Sequence, residues 1–435
     1  MGTRTLSTAV IGERFPSSLR QRDFALLWAG QTTSLIGDGI FTIALALATL
    51  RISNHASTLS YVLAARTAPA VAAMLLAGVL VDRLPRRLVV LGADLSRGLG
   101  VAAIAGLTAA HALTIPELIA ISVVIGLGDA FFYPAYSAIV PEVLPSDLLA
   151  QGNAFNSASQ VLGGWLAGPA IAGALIAAFG AAVAFGADAV SFLASAACLM
   201  VMRKVPAPAT TGARMLADAK AGLRWVRHQP WLWYGILAVG VLNFAAFSPL
   251  TVLAPLLVRD ILHEGAVIYG LVFAVAGVGG GVAALVVGCF GAPRRIVTVT
   301  WAAWGTGCLA VLGLSFAPDV VTVAAFLTLA FAMLTVGNLL WHTMMQVLVP
   351  AQMLGRASSV DWLFSLCLTP LGVLVGGVLA TSIGVRETFL LGGALATAAS
   401  FVVVSPRVRE PDRSGLFGRG ADRSSDTSQP TQPSH

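Results

Sequence analysis

Apolar residues fall along this chain in blocks of about twenty, separated by short connections that carry most of the charge. The blocks lie near 24–50, 58–81, 88–110, 117–139, 153–178 and 182–202. A second set follows near 232–257, 267–290, 296–316, 320–348, 358–381 and 388–405. A helix of about 20 residues crosses roughly 30 Å of hydrocarbon. Lipid offers an unpaired backbone group no partner, so every block is predicted to be helical. The expected fold class is an all-α membrane protein of twelve transmembrane helices in two six-helix repeats.

Polarity returns in three long stretches, which divide the chain. The expected organisation is a cytoplasmic segment 1–22, a six-helix bundle 23–202, a linker 203–230, a second bundle 231–405 and a tail 406–435. The linker opens with Pro206, Pro208 and Gly212. From Met215 to His228 it sets Met215, Leu216, Ala219, Leu223 and Val226 on one helical face, which predicts an amphipathic helix on the inner membrane surface. The tail is rich in Arg, Asp, Ser, Gln and Pro and is expected to be disordered.

Composition explains why so little charge is needed. Only 11% of residues are charged and 57% are hydrophobic, against roughly a quarter charged in soluble domains. Lipid must therefore be the solvent for most of the surface. The basic residues also fix an orientation. Arg20, Arg22, Arg83, Arg86, Arg87, Arg294, Arg295 and Arg356 share one side with the linker and tail arginines, whereas the other side has only Arg51, Arg259 and Arg386. By the positive-inside rule both termini are expected in the cytoplasm. Lys204 and Lys220 are the only lysines, a bias that points to a GC-rich bacterial genome, and a multi-pass helical chain is expected in the bacterial inner (cell) membrane. Met1 to Arg22 lacks the short apolar core of a signal peptide. Cys198, Cys289, Cys308 and Cys367 lie in apolar runs without metal-type spacing, so neither a disulfide framework nor a metal site is expected.

The two halves echo each other. Residues 84–89, L-P-R-R-L-V, return as A-P-R-R-I-V at 292–297. Residues 145–149, P-S-D-L-L, return as P-A-Q-M-L at 350–354, and Gly168-Pro169 as Thr369-Pro370. Three matches in order at one offset indicate an internal duplication. Parallel repeats place a transporter's substrate site near the midplane, between the halves.

Residues 78–87, G-V-L-V-D-R-L-P-R-R, resemble the signature loop G-x-L-x-D-R-x-x-R-R of the major facilitator superfamily, and the resemblance extends over nearly the whole membrane part. It implies that Gly78, Asp82, Arg83, Arg86 and Arg87 form a gating motif, with Asp82 meeting the N-terminal end of the eleventh helix near Ser358 in one conformation. Gly164, Gly168, Pro169 and Gly173 in the fifth span are similar to the superfamily's antiporter motif. The stretches 23–31 (D-F-A-L-L-W-A-G-Q), 188–192 (D-A-V-S-F) and 346–359 (Q-x-x-V-P-x-x-x-x-G-R-x-x-S) resemble the branch that contains the enterobactin exporter and macrolide-efflux proteins. One departure is clear. Many proton antiporters of the superfamily carry an Arg early in the fourth span, where this chain has Ser122.

Ionisable groups at membrane depth cost about 2.5–3.5 kcal/mol each on insertion scales, so each calls for a reason. Asp38 lies mid-span on a face with Gln31, Ser34 and Thr42, and Asp129 lies mid-span beside Phe132, Tyr133 and Tyr136. Both are candidates for proton or cation binding, with Arg66 as a coupling partner. The competing reading makes either carboxylate a structural partner of Arg66 or Arg97. Asp94 and Arg97, one turn apart, read as a local pair, and Asp188 as structural. The family resemblance adds Asn243 and Phe247 in the seventh span and Asn338, Trp341, His342 and Gln346 in the tenth to the cavity wall.

These features predict a proton-coupled exporter of small amphipathic molecules such as an antibiotic, siderophore or related metabolite. An importer or facilitator of a small nutrient on the same fold is the alternative. A membrane-embedded enzyme is disfavoured, because no H-E-x-x-H, phosphate-binding loop or nucleophile motif occurs. The expected partners are a small molecule, protons and the bilayer, with no nucleic acid, no cofactor and a monomeric state.

Overall fold

The computed structural model of the protein describes residues 17–81, 84–145, 148–203 and 222–413. Asp82, Arg83, Ser146, Asp147, most of the linker and the tail beyond residue 413 lie outside the described residues. The described chain is helical almost throughout. The first half holds α1 (Arg22–Ile52), α2 (Ala56–Val81), α3 (Arg86–Ala109), α4 (Ile115–Val143), α5 (from Leu149–Ser159 through Gln160–Ala167 to Gly168–Phe179) and α6 (Ala181–Val201). The second half holds α7 (from Pro230–Leu242 through Asn243–Phe247 and Ser248–Leu256 to Leu257–Ile261), α8 (Ala266–Phe290), α9 (Ile296–Gly313), α10 (Val320–Leu348), α11 (Ala351–Cys367 and Thr369–Ser382) and α12 (Val385–Ser400). Eleven of these are long and apolar enough to cross a membrane. The remaining one, α2, has 26 residues and packs along α4.

Local chemistry sets several boundaries. Asp319 caps α10 by accepting the Thr322 N–H at 2.8 Å. That bond holds the exposed Asp319 carboxyl below its ordinary range. The Thr114 N–H is taken by Glu117 at 3.1 Å at the start of α4. Helix α11 begins at Ala351 rather than near 358, because its polar first turns continue the helix below the apolar run.

Within the first half α1 packs on α5 and α6, α2 on α4, and α3 on α4 and α6. The second half repeats this pattern with α7 on α11 and α12, α8 on α10, and α9 on α10 and α12. The halves meet along α5–α8 and α2–α11, two seams that a shift of six helices exchanges. Their cross-contacts gather toward the face away from the described termini. There Arg259 donates to the Leu50 carbonyl at 2.8 Å and to the Asn54 side chain, and the Ser57 N–H reaches Thr381 Oγ at 3.3 Å.

The chain after α12 departs from expectation. Residues at the start of the predicted tail dock on α9, where Asp412 accepts from the N–H groups of Val297 (2.8 Å) and Thr298 (3.0 Å) and from Thr298 Oγ (2.6 Å). A helix N-terminus with unpaired amides attracts a carboxylate, and this local chemistry outweighs the segment's polar composition. Of the expected amphipathic linker helix, residues 222–227 are described, and they are helical.

Candidate functional site

Close helix crossings bring the first half's ionisable residues together. On α1, Gly37 lies directly against Asp188 and Ser191 of α6. A Cβ on Gly39 would sit 2.6 Å from the Gly164 carbonyl and 2.9 Å from Gly168 Cα of α5. Asp38 is thus held between two tightly packed positions. On α4, Gly126 lies against the Arg66 backbone, and a Cβ on Gly128 would meet the Arg97 stem at 2.6 Å. The glycines let α2 and α3 bring their arginines to Asp129.

The result is a continuous chain of charges across four helices. Arg66 Nη2 lies 3.6 Å from Asp38, and Arg66 Nε donates to Asp129 Oδ2 at 2.8 Å. Arg97 Nη1 donates to Asp129 Oδ1 at 3.2 Å and its Nη2 to Asp94 Oδ1 at 2.5 Å. Ser195 Oγ closes the chain on Asp94 Oδ2 at 2.7 Å. Side-chain exposure falls along it, from 23% at Asp38 and 19% at Arg66 to 9% at Asp129, 1% at Arg97 and 0% at Asp94. The guanidiniums also rest on aromatic faces. Arg66 lies 5.0 Å from the Phe41 ring centroid, and Arg97 lies 4.1 Å from Phe132 and 4.7 Å from Phe192. Three carboxylates share two guanidiniums, so the fully ionised chain carries one unbalanced negative charge. Asp188, wholly buried, accepts from Ser191 Oγ at 3.1 Å on Oδ1, while its Oδ2 has no partner among the described residues.

The expected cavity residues differ in position. Tyr133 is 55% exposed beside this chain, and Thr42 is exposed. Ser34 and Gln31 are buried, with Ser34 Oγ and Gln31 Oε1 unpartnered among the described residues. In the second half Asn243, Asn338, Trp341 and His342 all line a cavity of about 200 Å³ between α7, α10 and α11. Asn243 Nδ2 donates to the Ser365 carbonyl at 3.0 Å, and Trp304 Nε1 donates to Asn338 Oδ1 at 3.3 Å.

The described part of the signature loop braces the first half internally. Arg86 Nη1 donates to Glu142 at 2.5 Å and to the Ala138 carbonyl at 3.0 Å. Arg87 donates to the carbonyls of Leu199 (2.6 Å) and Met200 (2.8 Å) at the C-terminal end of α6, where a cation suits the helix dipole. Gly78 lies near the end of α2. The antiporter-like segment faces two ways: Gly164, Gly168 and the Pro169 ring turn to α1, while the Pro169 carbonyl and Gly173 turn to Gly270, Ala266 and Val267 of α8.

The sequence offers Arg97 both as the local partner of Asp94 and as a structural partner of a mid-span carboxylate, and in the structure it pairs with Asp94 and Asp129 at once. One feature escapes a reading of the sequence. Asp361 of α11 is 7% exposed and lines the second-half cavity, accepting from Trp341 Nε1 at 3.2 Å. Its signal was an acidic residue followed four positions later by Ser365, but Arg356, Ser358 and Ser359 made the region read as a helix end.

An all-helical, multi-pass membrane protein with charge networks buried inside its helix bundle is the architecture of a transporter. A family description of transmembrane secretion effectors (MFS_3) matches residues 15–420, and the chain belongs to this family of major facilitator superfamily transporters. Among curated relatives, the multidrug efflux pump Tap of Mycolicibacterium fortuitum is 27% identical, covering 89% of this chain and 96% of Tap. Macrolide efflux protein A of Streptococcus pyogenes is 22% identical, with the same shares of 89% and 96%. The fold is similar to the crystal structure of a bacterial homologue of the iron transporter ferroportin in an inward-facing state. That match has a TM-score of 0.67 and 16% identity, and covers 92% of this chain and all (100%) of the other.

Proposed function

We propose that this protein is a secondary active exporter of small amphipathic organic molecules, working by proton antiport and alternating access in a bacterial inner membrane. In this reading α2 is the twelfth span, both termini are cytoplasmic and the monomer is the working unit. The relatives named for multidrug and macrolide efflux support export. The observation that carries the coupling is the graded ion chain from Asp38 to Asp94. Asp38 is its most accessible and most loosely held carboxylate, 3.6 Å from a guanidinium that already bonds Asp129 at 2.8 Å. A proton on Asp38 removes the chain's unbalanced charge and releases Arg66 wholly to Asp129. Loss of that proton draws Arg66 back toward α1. Because Arg66 lies on α2, which packs against α11 of the other half, the exchange with Asp38 on α1 can bias which face is closed.

The test is accumulation of labelled drugs in efflux-deficient cells expressing wild type, Asp38→Asn or empty vector, with and without a protonophore. Lower accumulation in wild type alone, abolished by the protonophore, is the expected result. Equal protection by Asp38→Asn refutes the assignment of Asp38. Protection that survives the protonophore refutes proton coupling.

A further inference from the structure

The second half holds a charge that the first-half chain does not balance. Asp361 on α11 is the carboxylate of the 200 Å³ cavity between α7, α10 and α11. Its partners are neutral: Trp341 Nε1 on Oδ2 at 3.2 Å and Ser365 Oγ on Oδ1 at 3.4 Å. No ion pair among the described residues includes it. Around it stand indole rings. Trp304 and Trp341 are 5.6 Å apart between centroids, and Trp362, 51% exposed, forms part of the same wall.

A buried carboxylate without a countercharge takes up either a proton or a cation, and the open cavity beside Asp361 leaves room for the cation. The lining determines which kind. Hard metal ions take six to eight oxygen ligands, and no group of three or more His, Cys, Asp or Glu residues gathers among the described residues. Indole faces instead favour large, weakly hydrated organic cations. The volume is below the roughly 300–1,000 Å³ of a full drug site, so the cavity suits one end of a cargo molecule. We propose that the Asp361 pocket is the subsite for a protonated or quaternary amine on the exported molecule. Asp361 supplies the charge, the tryptophans the apolar cage, and the remainder of the cargo extends toward the space between the halves. The cargo is then a cationic amphiphile. This rests on the exporter reading for its physiological meaning, but the binding itself can be tested without a gradient.

Purified protein in lipid nanodiscs is titrated with dansylcadaverine, whose free amine is protonated at neutral pH. A parallel titration uses its N-acetyl derivative, which keeps the fluorophore and chain but not the charge. Energy transfer from tryptophan to dansyl reports binding. Wild type should bind the amine at least about tenfold more tightly than the acetyl compound. Asp361→Asn keeps an acceptor for Trp341 and should bring the two affinities within about twofold, leaving that of the acetyl compound unchanged. Both affinities are read at equilibrium with no proton gradient, so failure of the coupling reading is distinguishable from failure of this one. A melting curve checks that Asp361→Asn is folded. If it is not, Trp362→Leu at the exposed wall takes its place and should weaken the amine about fivefold and the acetyl compound less. The proposal is overturned by no binding of the amine to wild type or by equal binding of the two probes. It is equally overturned by a preference that survives Asp361→Asn, or by equal losses in Trp362→Leu.

Discussion

At the scale of single residues, Arg97 is the group on which the first half's interior depends. It lies 1% exposed between Asp94 and Asp129, under the rings of Phe132 and Phe192. Removing one partner of a buried pair costs about 3–5 kcal/mol, because the other is left charged and unpaired. Arg97→Gln should therefore lower the thermal midpoint and folded yield in detergent sharply. Adding Asp94→Asn removes one stranded carboxylate and should restore more than half of the lost midpoint. Simple addition of the two losses would mean that Arg97 acts by filling space under the rings rather than by charge. The same residues mark the limit of what the chain discloses unfolded. Asp38 and Asp129 stand out because a carboxylate in an apolar block has no local excuse, and Arg66 follows as a partner at similar depth. The contact of Arg97 with Asp129 depends on how α3 crosses α4, which Gly128 permits but no sequence spacing specifies. Asp361 is hidden for a different reason. It sits in a stretch whose polar neighbours imitate a helix terminus, so its depth becomes visible only once α11 is seen to begin at Ala351.

At the scale of elements, prolines and glycines work in pairs across helix contacts. Pro169 cannot donate to the carbonyl four residues back, and the chain widens over Gln160–Ala167 to accommodate its ring. That carbonyl, of Trp165, faces α8, where a Cβ on Gly277 would meet it at 2.5 Å. Pro249 of α7 repeats the arrangement after the wide turn Asn243–Phe247, with the Ala245 carbonyl directly against Gly392 of α12. The two contacts differ in what they join. Gly392 lies within the second half, whereas Gly277 lies on the seam between halves. Gly392→Val should therefore cost about 1–3 kcal/mol of overpacking and reduce the monodisperse fraction on size-exclusion chromatography. Gly277→Val should leave that fraction near wild type and slow transport per molecule at least about fivefold, because it obstructs a surface that must close. Equal loss of folded protein in both variants would show that the α5–α8 seam belongs to the folding core. The apolar blocks announce the helices themselves, since length and hydrophobicity decide them. The wide turns are not announced, because Pro169 and Pro249 admit a kink, a break or a π-turn alike, and the neighbouring helix selects among them.

At the scale of the whole molecule, the distribution of contacts between the halves defines a state. The ends of α1, α2, α7 and α11 farthest from the described termini are stitched together by Arg259 to Leu50 and Asn54 and by Ser57 to Thr381. The ion chain, by contrast, keeps Asp38 and Arg66 about one-fifth exposed, 23% and 19%. In the proposed alternating-access cycle a closed far face with an accessible centre is one end, and transport then requires the stitched face to part. Few hydrogen bonds among the described residues hold it, each of modest net value at a wet surface, about 0.5–1.5 kcal/mol, so their exchange costs little, and under the proposed coupling a proton at Asp38 tips the balance. Locking the face covalently tests this directly. Cys198, Cys289, Cys308 and Cys367 are first replaced, and Ser57→Cys with Thr381→Cys is introduced where the Ser57 N–H lies 3.3 Å from Thr381 Oγ, with the disulfide checked by loss of free thiols. Under oxidation, transport in proteoliposomes should fall by more than about tenfold and recover with dithiothreitol. Each single variant should be indifferent to both reagents. In the locked protein a thiol reagent should still label a cysteine placed at Tyr133 from the terminal face and fail to do so from the other. A disulfide that forms fully without slowing transport would mean that this face stays shut throughout the cycle, and that cargo leaves by another route.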